Sequence, residues 1–370
     1  MSVSPFRAHP ASESEPAIEA GAVAKLPVVD RQEDVPTEST ESSDPQSREA
    51  VPAQPVTEPE GGIEPVAGVD SPVIQRPLVR QRKQVPSSGM RRLVYVLTGG
   101  AVNPGVSRSE AAVLSRTDRL QQPLRGRHVT TYLCLKGGIA KTSTCIGVSQ
   151  TFAQLRADAT LACDFNPDAG DLAERTVGEE LSGVTSLAQQ VDSIESVADL
   201  SRFLVTVGRL TVLPGEPDPQ LGESLTSTQF NAVLSSVSRF YPNIHLDAGT
   251  GITHPIMPGI LAETDTVVVP ASYSITGARR AAATLEWLQR NGFDRLARRA
   301  VVALTAKDAV SRDVDKNAVR ALFPNVGVVV VPQDPHVADG AVMELDRMAG
   351  ATREAYAEIA AMVADQFPRG

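Results

Sequence analysis

The sequence has few of the features that mark membrane proteins or disulfide-bonded secreted proteins. Of its 370 residues, 4% are aromatic and 3 are cysteines. No stretch approaches the ~18–20 consecutive apolar residues of a transmembrane helix, and prolines and acidic residues interrupt the region where a signal peptide would be apolar. Cys134, Cys145 and Cys163 lie in apolar runs without metal-ligand spacing, which is typical of buried free thiols in a reducing compartment. We therefore expect a cytoplasmic protein without a membrane span.

Acidic residues are distributed unevenly along the chain. Residues 1–75 contain 14 acidic and 4 basic residues, 11 of the 27 prolines and a single aromatic residue, Phe6. Such a segment buries too little apolar surface to offset the entropy lost on folding, so we predict a disordered acidic tail. The other 295 residues hold 30 acidic and 31 basic residues and are nearly neutral.

A short basic stretch follows the tail. Between Val73 and Arg92 the chain carries six basic residues, which suits contacts with nucleic acid or acidic lipid, or a solvated linker. These residues are Arg76, Arg80, Arg82, Lys83, Arg91 and Arg92. We predict a tail over residues 1–90, an N-terminal extension over 91–127 and a folded domain over 128–370.

From His128 onwards, short β-branched or apolar runs alternate with longer stretches of helical spacing. Near-continuous hydrophobic strands separated by helices are typical of a parallel sheet covered on both faces. We therefore predict an α/β fold with a mainly parallel, twisted sheet of seven to eight strands between two layers of helices. The predicted strands are 129–135, 159–163, 210–213, 243–246, 266–269, 300–304 and 327–331, and the predicted helices are 109–120, 142–156, 228–238, 276–290, 310–322 and 351–367.

A glycine-rich loop, LKGGIAKTS, follows the first of these strands. Triphosphate binding requires backbone N–H groups that approach the phosphates closely, a lysine for the β/γ oxygens and a hydroxyl for Mg²⁺. Lys141 and Thr142 supply the last two, and the helix that begins here directs the positive end of its dipole at the anion. Leu135 and Ala140 stand where the general pattern G-x-x-x-x-G-K-[ST] has glycine. We predict ATP and Mg²⁺ as ligands, with nucleotide contacts from Gly137, Gly138, Ile139, Ala140, Lys141, Thr142 and Ser143.

The additional Lys136 makes this loop similar to the deviant phosphate loop of the MinD/ParA family of P-loop ATPases. The resemblance covers the chain from about Arg91 to its last residue and implies the P-loop NTPase fold. In that family, the lysine that matches Lys136 reaches across a dimer interface to the nucleotide of the partner. The resemblance therefore implies a homodimer that forms with ATP.

Two aspartates at predicted strand ends match the switch regions of the same family. Asp164, in the run LACDFNPD, stands at the switch I position near Mg²⁺, and Asp247, in the run IHLDAGTG, stands at the Walker B position. The resemblance assigns Thr142, Asp164 and Asp247 to the metal. Where the family usually has a second switch I aspartate, this chain has Asn166, and an amide cannot accept the proton of an attacking water. We therefore expect slow hydrolysis. The predicted catalytic set is Lys136, Lys141, Asn166 and Asp168.

Further motifs narrow the resemblance to one branch of the family. Thr305 matches a position that contacts the base, and Pro332 and Asp334, in the run VPQDP, resemble the loop that covers it. The runs RRL, LTGG and NPGVS before the phosphate loop, and DFNPD and DAGTGITH after it, resemble the actinobacterial MinD-like ATPases associated with type VII (ESX) secretion. This resemblance implies a cytoplasmic regulator or accessory factor whose protein partner belongs to the secretion machinery.

Other functions stay open at this point. A ParA-type partition ATPase that binds non-specific DNA needs a basic surface, which the nearly neutral body does not favour. A nucleotide-binding scaffold with little turnover is compatible with Ala140 and Asn166. A C-terminal membrane anchor is not expected, because the last predicted helix carries three acidic residues and one basic residue. The candidates for a DNA surface are Arg279, Arg280, Arg295, Arg298 and Arg299.

Overall fold

The structure is a computed structural model that describes residues 85–86, 89–135, 140–167, 170–179, 181, 183–249, 254–306 and 316–368. The described residues up to Arg108 belong to one compact unit, and those from Ser109 onwards belong to another. Residues 1–75, which hold the predicted acidic tail, lie outside the described residues, and the predicted domain limits stay a prediction.

Helices and strands alternate along most of the described chain. The α-helices are α1 (Gly89–Leu97), α2 (Arg108–Leu120), α3 (Lys141–Leu155), α4 (Glu174–Val177), α5 (Val184–Gln190), α6 (Val197–Leu200), α7 (Pro219–Glu223), α8 (Ser227–Ser238), α9 (Met257–Glu263), α10 (Ile275–Arg290), α11 (Asp294–Arg299), α12 (Lys316–Ala321), α13 (Pro335–Ala338) and α14 (Gly350–Ala364). The strands are β1 (His128–Tyr132), β2 (Thr160–Phe165), β3 (Val205–Val207), β4 (Leu210–Leu213), β5 (Asn243–Ala248), β6 (Thr266–Ser272), β7 (Val301–Thr305) and β8 (Gly327–Val331). Short 3-10 helices cover Val191–Ser193, Ser201–Phe203 and Leu345–Arg347. Among the described helices, none combines the length and the apolar character needed to cross a bilayer.

The strands form one sheet in the order β3-β4-β2-β5-β1-β6-β7-β8. All neighbouring strands from β4 to β8 in this order are parallel, and the edge strand β3 is antiparallel to β4. All seven predicted strands are present, so the predicted fold class is confirmed; β3 was not predicted. Because the central strands are parallel, their carboxyl ends meet at one edge of the sheet, which is where α/β proteins place their ligands.

Helices cover both faces of the sheet. On one face, α3 is buried between the sheet and α14, and the rings of Tyr132, Phe152 and Tyr356 are fully enclosed there. On the other face, α5, α8, α9, α10 and α11 pack over a core that includes Phe165 and Phe230. The continuous apolar runs predicted from the sequence are therefore the strands of a sheet buried on both sides.

Helix α2 is attached to the last helix by ion pairs. Arg116 Nε lies 2.9 Å from Glu358 Oε2, and Arg119 contacts Glu358 Oε1 at 2.9 Å and Asp365 Oδ2 at 2.7 Å. Burial opposes the ionisation of Glu358, but hydrogen bonds from both arginines outweigh it and hold the pKa of Glu358 below its ordinary value. Two of the acidic residues of the C-terminal segment thus have partners within the same unit.

Candidate nucleotide and metal site

The sheet topology brings the described ends of the predicted phosphate loop, Leu135 and Ala140, and both predicted strand-end aspartates to one edge. Strand β5 lies between β2 and β1, and Asp247 of β5 is in register with Asp164 of β2 on one side and with Tyr132 of β1 on the other. The phosphate loop follows β1 and leads into α3, whose first residue is Lys141. Residues far apart in the sequence are therefore neighbours at the carboxyl ends of three adjacent strands.

Lys141 and Asp247 form a buried ion pair at the centre of this edge. Lys141 Nζ donates a hydrogen bond of 2.6 Å to Asp247 Oδ1, and both side chains are almost completely enclosed. Burial acts to lower the pKa of Lys141, but the charge and the hydrogen bond of Asp247 outweigh it and raise that pKa above the ordinary value. The ammonium group is therefore charged and held in a fixed position next to the phosphate loop.

Three carboxylates converge beside this lysine. Asp164, Asp171 and Asp247 each offer one oxygen, and these three oxygen atoms lie within 4.8 Å of one another. Thr142 Oγ1 donates a hydrogen bond of 2.8 Å to Asp171 Oδ1 and so adds a hydroxyl to the cluster. Burial, followed by the charge of Asp247, raises the pKa of Asp164 to about 7. Oxygen ligands of this type suit Mg²⁺.

One atom of the cluster also has unused hydrogen-bonding capacity. Asp247 Oδ2 is buried and, within the described residues, has no well-formed hydrogen bond. A buried carboxylate oxygen without a partner is costly in a folded protein, and a divalent cation would supply the missing interaction. The residues present therefore fit a metal ion at this position.

Asp164 is held rigidly by the backbone that follows it. Its two oxygens accept hydrogen bonds of 3.0 Å from the N–H groups of Asn166 and Leu172. A Cβ at Gly170 would lie 2.3 Å from Asp164 Oδ2, and a Cβ at Gly215 would lie 2.8 Å from Asp164 Cγ. These two glycines allow the chain to close tightly around the carboxylate.

The two predicted switch segments are in direct contact where they leave the sheet. A Cβ at Gly249, just after β5, would lie 2.4 Å from Pro167 Cδ and 2.8 Å from Asn166 Oδ1. Only a glycine leaves room for this approach. A displacement of the segment at Asn166 and Pro167 therefore requires the backbone at Gly249 to move as well, and the reverse also holds.

The backbone at Ala140 adopts a conformation that normally requires glycine. Its φ of 65° and ψ of 32° lie in the left-handed region of backbone conformation. Among the described residues other than glycine, Ala140 alone has a positive φ. This geometry explains physically why the general phosphate-loop pattern has glycine at the position before the lysine.

The three predicted base contacts differ in their surroundings. Thr305 is the last residue of β7 and Pro332 directly follows β8, at the same edge of the sheet as Asp164 and Asp247. The buried Thr305 Oγ1 has no hydrogen bond within the described residues. Asp334 instead caps α13: its Oδ1 accepts from the N–H of His336 at 3.0 Å and its Oδ2 from the N–H of Ala349 at 2.8 Å.

Asp171 and Arg175 belong to this arrangement but were not predicted from the sequence. Arg175 donates a hydrogen bond of 2.7 Å to Ser143 Oγ in the first turn of α3, and one of 3.3 Å to the carbonyl of Val337. It therefore links the segment after β2 to α3 and to the segment after β8. The sequence signal that could have indicated them is the group of charged residues shortly after Asp164, which includes Asp171 and Arg175. The predicted residues Lys136, Gly137, Gly138, Ile139 and Asp168 lie outside the described residues.

Comparison of the sequence with known proteins gives one sequence relationship. A scan against models of known protein families found no match. The chain is 32% identical over 299 residues to the ESX-1 secretion-associated protein EspI of Mycobacterium tuberculosis, in the strains CDC 1551 / Oshkosh and ATCC 25618 / H37Rv. The match covers 78% of this chain but 43% of EspI, so the chain spans less than half the length of these relatives.

Comparison with solved structures identifies the fold. A ParA family ATPase from Chlorobium tepidum TLS has a TM-score of 0.55 at 17% identity, over 64% of this chain and 98% of that protein. The septum site-determining protein MinD from Pyrococcus horikoshii OT3, solved as a complex with Mg-ADP, has a TM-score of 0.51 at 16% identity, over 64% of this chain and 95% of that protein. The cell division ATPase MinD of Pyrococcus furiosus also has a TM-score of 0.51, at 17% identity, over 65% of this chain and 98% of that protein.

These structural likenesses establish the fold, and the sequence match narrows the relationship further. The resemblance drawn from the phosphate loop and the strand-end aspartates is thus confirmed: the chain has the P-loop fold of the MinD/ParA-type ATPases and is related in sequence to the ESX-1 secretion-associated protein EspI.

Proposed function

We propose that this chain binds ATP with Mg²⁺ at the edge formed by β1, β2 and β5 and works as a nucleotide-dependent switch. The observation that supports this most strongly is the buried Lys141–Asp247 pair beside three converging carboxylates. Lys141 would contact the phosphates, while Thr142, Asp164 and Asp247 would hold the metal ion, which when bound neutralises phosphate charge. The Mg-ADP complex of a MinD protein with the same fold supports this choice of ligands.

Nucleotide binding is tested by calorimetry on the full chain with ATP in the presence of Mg²⁺. We expect Lys141→Ala to weaken ATP binding by about a hundredfold, because it removes a charge-assisted contact to phosphate. Arg290→Ala is the matched control, since it removes an exposed cation of α10 whose partner is Glu286. Equal ATP affinity in the wild type and in Lys141→Ala would contradict the proposed site.

The base is proposed to lie against β7. Thr305 Oγ1 is a buried hydroxyl without a hydrogen bond to any described residue, and a hydroxyl can donate to or accept from a nucleobase. Asp334 uses both oxygens within its own segment and is better suited to shape the covering loop next to Pro332. We expect Thr305→Val to weaken ATP binding about tenfold without changing triphosphate binding, which Mg²⁺-tripolyphosphate competition measures.

Hydrolysis is proposed to be slow. Asn166 lies directly after β2, in contact with the position of Gly249, but its amide cannot take a proton from water. Lys136 and Asp168, which lie outside the described residues, are proposed to assist. We expect Asn166→Asp to raise phosphate release about tenfold, with Lys141→Ala as the blank. If the wild type and Asn166→Asp both hydrolyse less than about one ATP per minute, the result would favour a nucleotide-binding scaffold instead.

Dimerisation with ATP is the proposed output of the switch. Light scattering of the full chain is expected to give a dimer with ATP and Mg²⁺ and a monomer with ADP. Lys136→Ala is expected to remain monomeric while still binding ATP, because the resemblance assigns this lysine to the nucleotide of the partner. A monomer under all conditions would contradict this step but not nucleotide binding itself.

The proposed cellular role is regulation of a type VII (ESX) secretion machine from the cytoplasm. The sequence relationship to a protein named as ESX-1 secretion-associated supports it, although the match covers less than half of that protein. Affinity capture with the full chain, beside a variant lacking residues 1–90 and with ATP present, would identify the partner and the segment that recruits it. DNA binding is not favoured by the nearly neutral body, and gel shifts over a salt series test it.

A further inference from the structure

Helix α1 is amphipathic, and its polar face contacts the loop that follows the helix. Arg91 Nη1 donates to the carbonyls of Pro104 at 3.2 Å, Gly105 at 3.4 Å and Val106 at 3.1 Å, so the following loop folds back onto this face. The ring of Tyr95 lies against Gly100, whose N–H donates to the Tyr95 carbonyl at 2.9 Å. The helix and its loop thus form a small unit held together by contacts from the polar side of the helix.

The apolar face of α1 is consequently exposed. Met90, Leu93, Val94 and Leu97 recur at helical spacing and are 81%, 57%, 37% and 76% exposed. Together with Val96 they occupy an arc of about 160° around the helix axis, at 3.6 residues per turn. Within the described residues, no side chain of this helix is buried. A contiguous exposed apolar face of this kind marks a surface that binds something.

The positive charge of the sequence around α1 indicates which kind of partner this apolar face binds. Residues 71–109 contain seven basic residues and no acidic residue. A short helix with an apolar arc, arginines on its other side and a long acid-free basic flank has the chemistry of an element that lies in the surface of an anionic bilayer. We propose that α1 docks this chain onto membranes that carry anionic lipid, with the apolar arc inserted at the interface and the net positive charge of residues 71–109 favouring anionic headgroups.

Two other occupants fit less well. A second copy of the chain would bring two strongly basic segments together, which repel each other. The acidic residues 1–75 match in charge, but their single aromatic residue and 11 prolines give them little apolar surface to cover the arc. A bilayer supplies both the negative charge and the apolar interior.

Vesicle flotation with the full chain tests the proposal. We expect wild-type protein to bind vesicles of phosphatidylcholine with about 30% phosphatidylglycerol at least about tenfold better than vesicles of phosphatidylcholine alone, and to lose most binding between about 50 and 500 mM salt. The double variant Leu93→Asp/Leu97→Asp is expected to reduce binding about tenfold or more. Val197→Asp, at a valine that is 50% exposed on α6, is the matched control and is expected to bind like the wild type.

A second readout reports the depth of α1 itself. Trp introduced by Met90→Trp is expected to shift its emission to the blue on anionic vesicles, whereas Val197→Trp is expected not to shift. Absence of binding to any vesicle, unchanged binding by the double variant, or equal loss in Val197→Asp would each overturn the proposal. A wild-type dimer in light scattering without vesicles that becomes monomeric in Leu93→Asp/Leu97→Asp, without vesicle binding, would assign the face to a second copy instead.

Discussion

Ala140 stores backbone strain at the entrance to α3. Its φ of 65° is disfavoured for a residue with a Cβ by about 1 kcal/mol. We predict that Ala140→Gly raises the free energy of unfolding by about 0.5–1 kcal/mol, because glycine adopts this conformation without the steric penalty. Chemical denaturation of the nucleotide-free protein measures this difference.

The control for that substitution is an alanine with ordinary helical geometry. Ala283 is exposed in the middle of α10, and Ala283→Gly is expected to lower the free energy of unfolding by about 1 kcal/mol. Opposite signs for the two Ala→Gly changes support strain at Ala140. A loss of stability at both positions would show that the left-handed geometry carries no penalty there.

The Lys141–Asp247 pair makes a second prediction at the scale of single residues. Lys141→Met leaves Asp164, Asp171 and Asp247 without the cation that offsets their repulsion, so we expect it to lower the free energy of unfolding by about 3 kcal/mol. Asp247→Asn leaves a buried ammonium group unpaired and is also expected to destabilise the protein.

The double variant decides whether the two groups act as a unit. Lys141→Met/Asp247→Asn is expected to destabilise the protein by much less than the sum of its single changes, as buried pairs in direct contact are not additive. Urea unfolding without nucleotide or Mg²⁺ measures the coupling. Additive effects would mean that the 2.6 Å contact contributes nothing beyond its separate members.

At the scale of elements, the close packing of α3 against α14 requires a residue without a side chain at Gly147. A Cβ at Gly147 would lie 2.4 Å from the ring of Tyr356, which is fully buried. We predict that Gly147→Ala lowers the free energy of unfolding by about 2 kcal/mol, because the ring must move in a close-packed core. Gly350→Ala, at the start of α14 with nothing within 4 Å, is expected to change stability by less than about 0.5 kcal/mol.

Most of the sheet could be predicted from the sequence because parallel strands buried on both faces appear as continuous apolar runs. Strand β3 could not be predicted: Val205–Val207 is three residues long, incompletely buried and antiparallel at the edge. Helix α1 is absent from the predicted helices, because it has no buried side chain and so no core-facing pattern.

Some residues of the candidate site could likewise be predicted from the sequence, and others could not. Asp164 and Asp247 could be located because they end apolar strands that a parallel sheet brings to one edge. Asp171 could not, because its position depends on a turn in which the Gly170 N–H donates to the Glu216 carbonyl at 3.4 Å. Such a contact between distant loops leaves no periodic signal in the sequence.

At the scale of the whole molecule, a buried histidine couples stability to pH. His128 is enclosed, its ring lies edge-on to Phe367 with the ring centroids 4.8 Å apart, and its Nε2 lies 3.1 Å from Thr266 Oγ1. Burial lowers the pKa of His128 to about 4; Asp265 opposes this shift, and Arg299 and Arg295 add to it. The folded protein therefore keeps this ring neutral at pH values where an exposed histidine is protonated.

Between pH values of about 6.5 and 4, the unfolded chain binds a proton at His128 that the folded protein does not bind. The contribution of His128 to the free energy of unfolding therefore falls as the pH is lowered through this interval, by up to about 1.4 kcal/mol per pH unit, and it levels off below pH 4. His128→Gln removes this titration, so the variant is expected to lose less stability than the wild type between pH 6.5 and 5. Parallel stability curves for wild type and His128→Gln would contradict the prediction, because they would mean that the ring takes up its proton equally in the folded and unfolded states.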